Sequence, residues 1–92
     1  MDTAAVEVTN TIYVIASKER QKQALRFLEQ ALEEANYPIG GLVIHSFGSN
    51  EVEIEATLTA TSIDGDELDQ VTQRLAEHDS VIQAFWSPST AE

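Results

Sequence analysis

Few side chains in this sequence could do chemistry. There are two histidines, His45 and His78, no cysteine, and 16 Asp/Glu against five Lys/Arg. The acidic residues offer one ordered row. Glu51, Glu53 and Glu55 occupy alternate positions, which on a strand places them on one side at roughly 6–7 Å per step. Such a row could hold Mg²⁺ or Ca²⁺ loosely, but hard cations demand a fuller set of oxygen ligands. It reads first as a solvated face, with Glu51, Glu53 and Glu55 kept as a weak cation candidate. The histidines fall on different elements with no His or Cys beside them, and zinc needs three or four converging ligands. Each is therefore read as a surface or packed residue, and no dedicated metal site is expected.

Other chemistries fail on specific residues. Without cysteine there is no thiolate ligand, disulfide or thiol nucleophile. Ser46 and Ser49 lack an activating base in their local sequence. The loop Ser17-Lys18-Glu19-Arg20 has none of the glycines that let backbone N–H groups cradle a phosphate. The acidic stretch from Asp64 to Asp69 lacks the spacing and distal glutamate of a Ca²⁺ loop. Neither an enzyme nor a bound cofactor is expected.

The formal charge of −11 narrows the partners. Nucleic-acid affinity comes largely from Lys and Arg displacing counterions, so this surface repels phosphate backbones. Anionic lipid headgroups are disfavoured for the same reason. Cations, basic proteins and neutral small molecules remain open. No apolar run approaches the ~20 residues of a membrane-spanning helix, and residues 1–10 have no signal-peptide character.

Hydrophobic periodicity then supplies the elements that position these residues. Thr11–Ala16 is rich in β-branched and aromatic residues and predicts a first strand. Ala24, Leu25, Phe27, Leu28, Ala31, Leu32 and Ala35 recur at helical spacing from Glu19 to about Ala35, with Ser17 able to cap the start and Asn36 and Pro38 ending it. Gly40-Gly41 precedes a second strand, Leu42–Phe47, and Gly48-Ser49-Asn50 carries turn chemistry. From Glu51 to Thr61, Val52, Ile54, Ala56, Leu58 and Ala60 alternate with Glu and Thr, the mark of a strand with one wet face. Asp64, three residues before Glu67, predicts a capping box opening a helix buried through Leu68, Val71 and Leu75. Val81–Trp86 predicts the last strand, with residues 1–10 a flexible lead-in, 11–87 the domain and 88–92 a flexible tail.

This β-α-β-β-α-β order predicts an α+β fold, a ferredoxin-like or ACT-like sandwich with two helices on one face of a four-stranded antiparallel sheet. Ile12, Val14, Leu42, Ile44, Ile54, Leu58, Ile82 and Trp86 are the expected sheet contribution to the core. The opposite face would carry Tyr13, Ile15, Val43, Phe47 and Phe85. That much open apolar surface suggests an interface, either with a second copy or with another part of a longer protein.

The second half carries a resemblance. The run Val52-Glu53-Ile54-Glu55-Ala56-Thr57-Leu58, the helix with Arg74-Leu75, and the closing Val81-Ile82-Gln83-Ala84-Phe85-Trp86 resemble the C-terminal soluble domain of the MgtC/SapB family of bacterial inner-membrane proteins. Ile12–Ile15 and the following helix fit that domain's opening; Ser80 stands where the family more usually has glycine. The resemblance implies a non-catalytic, ACT-like regulatory tail on the cytoplasmic face of the inner membrane, linked to magnesium limitation. It also implies that the chain is a piece of a longer membrane protein, beginning at an introduced Met1. The alternative is a free-standing ACT-type domain sensing an amino acid or other small molecule, although the glycine those domains place in the first strand-helix loop is missing.

Overall fold

The computed structural model describes residues 7–59 and 63–91. Four strands, β1 (Glu7–Ser17), β2 (Ile39–Phe47), β3 (Glu51–Leu58) and β4 (Gln83–Ala91), form one antiparallel sheet in the order β2-β3-β1-β4. A 3-10 turn, Lys18–Arg20, leads into α1 (Gln21–Glu34), and α2 (Gly65–Ala76) joins β3 to β4. The α+β, ferredoxin-like reading holds.

Local chemistry explains the element ends. The Ser17 hydroxyl accepts from the Arg20 amide at 3.2 Å, so it caps the 3-10 turn rather than α1, whose own N-cap, Arg20, makes no side-chain cap bond. At the other end of α1, Asn36 takes a left-handed φ of 64°. Its amide reaches the Glu33 carbonyl, and the Tyr37 amide reaches the Leu32 carbonyl at 2.9 Å. That paired closure satisfies two of the helix's orphan carbonyls and turns the chain toward β2. Gly40 produces a bulge between Ile39 and Gly41, and a Cβ there would sit 2.1 Å from the Thr59 methyl. Gly48, at φ 75°, supplies the left-handed residue of the β2–β3 turn.

Asp64 caps α2 through its carboxylate and the Asp66 amide, at 2.9 Å. The predicted capping box is closed differently, however. Glu67 does not return to the cap; its carboxylate accepts from the Tyr37 hydroxyl, which in turn accepts from the Asp64 amide at 3.4 Å. Tyr37, buried at the C-terminus of α1, thus ties the two helices together. The hydrogen bond to the Glu67 carboxylate, followed by burial, raises its phenol pKa above the usual value of 10.0.

The core lies between the helices and the middle of the sheet. Ile12, Val14 and Ala16 of β1, and Val52, Ile54, Ala56 and Leu58 of β3, meet Ala24, Leu28, Ala31 and Leu32 of α1 and Leu68, Val71 and Leu75 of α2. Burying each large aliphatic side chain fully stabilises the fold by about 1.5–3 kcal/mol.

Three of the expected core positions are elsewhere. Leu42 and Ile44 of β2 are 39% and 42% exposed, and Ile82 is 55% exposed. The helices cover β1 and β3 and reach only Ala84 and Trp86 of β4, so the edge strand β2 keeps both faces open. Ile82 precedes the last strand, and its buried neighbour Val81 fills the place expected of it. Central β1 and edge strand β4 also run further than predicted. Glu7–Asn10 pairs with Pro88–Ala91, in place of a flexible lead-in and tail, because the β1–β4 ladder continues beyond Thr11 and Ser87. Residues 1–6, Glu92, and Ala60 and Thr61 of the expected alternation lie outside the described residues.

Candidate functional site

The β2–β3 hairpin brings the acidic row and one histidine together. With Phe47 opposite Glu51 across the turn, the antiparallel register places His45 opposite Glu53 and Val43 opposite Glu55. All point to the face away from the helices, since the alternate residues Val52, Ile54 and Ala56 are buried beneath α1 and α2. His45 Nε2 lies 2.5 Å from Glu55 Oε2 and 3.5 Å from Glu53 Oε1. One donor atom from each of the three residues lies within 4.8 Å of the others. Glu51, the third member of the expected row, is not part of this group. The pleat spaces it one step further toward the turn.

The interface candidates are distributed unequally. On the same face, Tyr13 stacks on Phe85 with ring centroids 4.9 Å apart, and the pair fills the β1–β4 side. Phe85 remains 38% exposed, and Val43 and Phe47 of β2 are 52% and 45% exposed. Ile15 does not belong with them. It is 5% exposed, flanked in register by Glu53 and Gln83, and presents almost no surface. Leu42 and Ile44 add to the exposed apolar set from the opposite face of β2, a contribution that strand alternation assigned to the core.

Several polar groups elsewhere have structural partners. His78 Nδ1 accepts from the Ser80 amide at 3.1 Å and lies 2.7 Å from its hydroxyl, while the ring stacks on Phe27. Arg74 pairs with Glu34 and lies over Phe27, and Arg20 donates to the Asp79 carbonyl. The Trp86 indole donates to Asp69 at 2.8 Å. A hollow of about 340 Å³ at the C-terminal end of α1 is lined by Leu32, Tyr37, Pro38 and Ile39 with Glu29 and Glu33 at its rim. It lies at the opposite end of α1 from the first strand-helix loop, where an ACT-type amino-acid site would fall.

Sequence reasoning treats His45 as isolated because its partners are distant along the chain. The signal that finds them is the Gly48-Ser49-Asn50 turn. It sets the hairpin register, and hence the residues facing His45.

The profile of the MGTC/SAPB C-terminal domain matches residues 11–86 of this chain. The chain belongs to this family. Among solved structures, the C-terminal domain of the MgtC protein from Mycobacterium tuberculosis is similar at TM-score 0.78 and 12% identity, over 97% of this chain and 94% of that one. The ACT domain from GTP pyrophosphokinase of Chlorobium tepidum is similar at TM-score 0.62 and 10% identity, over 86% and 84%. A putative PII-like signaling protein from Thermus thermophilus follows at TM-score 0.59 and 16% identity, over 99% and 92%. At these identities the likeness is one of fold. No curated protein matches the sequence significantly. The MGTC/SAPB domain of this chain has no described helix long and apolar enough to cross a membrane.

Proposed function

We propose that this MGTC/SAPB C-terminal domain is a non-catalytic regulatory module that works by self-association through its β2 edge. In this reading it is the cytoplasmic tail of an MgtC-like membrane protein linked to magnesium limitation. The carrying observation is β2 itself. It is an edge strand of nine residues in which Leu42, Val43, Ile44 and Phe47 are all exposed, on both faces of the sheet. Long apolar edges of this kind favour pairing with another strand.

A second copy suits the edge because Ile39–Phe47 contains no Asp, Glu, Lys or Arg. Two β2 strands can meet without opposing like charges at the seam, while Glu51, Glu53 and Glu55 stay one strand further back, roughly 5 Å away from it. The charge of −11 on each copy still opposes association over distance, and salt screens it with a Debye length of about 10 Å at 0.1 M. Dimerisation should therefore strengthen as salt is added, the reverse of an interface built on ion pairs.

Sedimentation velocity over a concentration series tests the reading. The wild-type domain should shift from monomer to dimer, more readily at higher salt. The double variant Leu42→Lys/Ile44→Lys should remain monomeric with an unchanged circular dichroism spectrum. A wild-type monomer at every concentration and salt level would refute self-association.

A further inference from the structure

We propose that His45, Glu53 and Glu55 form a binding site for a divalent transition-metal ion of the zinc type, on the open face of the β2–β3 hairpin. Three observations carry this. The first is convergence. An imidazole nitrogen and two carboxylates, from two strands locked in register, place donor atoms within 4.8 Å of one another.

The second is an imbalance in the hydrogen bonding. Glu53 and Glu55 both approach the same nitrogen, His45 Nε2, at 3.5 and 2.5 Å. A neutral imidazole has at most one N–H at that atom and can satisfy one carboxylate well. A cation in its place would meet both at once. The Nε2–Glu53 separation already matches a tetrahedral edge of about 3.4 Å, which follows from metal–ligand distances of about 2.1 Å. The closer Glu55 oxygen needs only a modest side-chain rotation.

The third is the distribution of charge over the whole molecule. All five Lys/Arg fall on helical elements: Lys18 and Arg20 on the 3-10 turn, Lys22 and Arg26 on α1, and Arg74 on α2. No strand carries one. Glu53 and Glu55 are half-buried beside Ile15, Tyr13 and Val43, their register neighbours, and His45 is the one basic side chain that reaches them among the described residues. The face thus holds two carboxylates in partly apolar surroundings with no Lys or Arg beside them among the described residues.

The donor set also selects the ion. A nitrogen ligand favours zinc, nickel, cobalt or copper, whereas magnesium and calcium prefer all-oxygen shells. Three protein donors leave at least one position for water or an external ligand. The site lies in a single copy, so it does not depend on self-association through β2.

Titration of the untagged domain with Zn²⁺, with Co²⁺ as a spectroscopic substitute, tests the proposal. Saturable one-to-one binding is expected, with amide shifts centred on His45, Glu53, Glu55 and their neighbours Val43 and Tyr13. Mg²⁺ should produce no saturable effect there. His45→Ala and Glu53→Gln should each weaken Zn²⁺ binding by at least about tenfold. Glu51→Gln and His78→Ala should leave it within about twofold, since neither residue belongs to the donor set. The Leu42→Lys/Ile44→Lys variant should bind as the wild type does, which separates this site from the fate of the dimer reading. Absence of saturable Zn²⁺ binding, unaltered binding by folded His45→Ala, or equal binding of Mg²⁺ would overturn the proposal.

Discussion

β2 and β3 are neighbours in one ladder, paired residue against residue, yet they have opposite fates. In β3 every second residue is buried and the residues between are half-exposed and mostly acidic. In β2 the composition is more apolar, but exposure is nearly continuous. Ile44 and Ile54 face each other in register; one is 42% exposed and the other fully buried. Identical side chains a strand apart show that coverage by the helices, rather than residue type, decides which apolar groups make the core.

The sharpest test of that contrast compares Ile54→Ala with Ile44→Ala by chemical denaturation. Loss of Ile54 should cost about 2–5 kcal/mol, as a large-to-small change in a close-packed core does. Loss of Ile44 should cost under about 1 kcal/mol in dilute, monomeric protein, since half-exposed side chains leave no sealed cavity. Equal costs would mean that β2 is covered after all.

A smaller effect is expected where β2 begins. Gly40→Ala should destabilise by about 1–3 kcal/mol, because its Cβ would fall on the Thr59 methyl. Thr59→Ala in the same chain should recover part of the loss. Full stability of Gly40→Ala alone would show that the bulge relaxes freely.

The smallest effect concerns the link between the helices. Tyr37→Phe removes a hydroxyl that accepts from Asp64 and donates to Glu67, and should cost about 1 kcal/mol. The Glu67 carboxylate and burial raise the folded pKa of Tyr37 above its unfolded value, so the folded state holds the phenolic proton more tightly. That contribution is complete below pH ~10 and is lost as pH rises through the folded pKa. Urea midpoints measured across the alkaline range should fall more steeply for wild type than for Tyr37→Phe. Parallel curves would remove Tyr37 from the account.

What was legible in the sequence follows the same division. The β3 alternation as far as Leu58, the α1 stripe, the Asp64 cap and the hairpin turn are local patterns, and each appears where the residues place it. The exposure of Leu42, Ile44 and Ile82 was not legible, because it depends on how far two helices spread across four strands. Tyr37 was missed for a related reason: its partners Asp64 and Glu67 lie at the start of another helix, distant along the chain. The cluster around His45 stands between these cases. Its members are eight and ten residues apart, but a recognised turn joins them, so counting the register across that turn is enough to bring them together.

In the proposed reading, β2 is an open edge that pairs with a second copy. Hydrogen exchange of the β2 amides at low and high protein concentration tests it most directly. Outward-facing amides between Ile39 and Phe47 should become markedly slower to exchange as concentration rises, while those of β3, already paired on both sides, should not change. Exchange in β2 that stays fast at every concentration would contradict the claim.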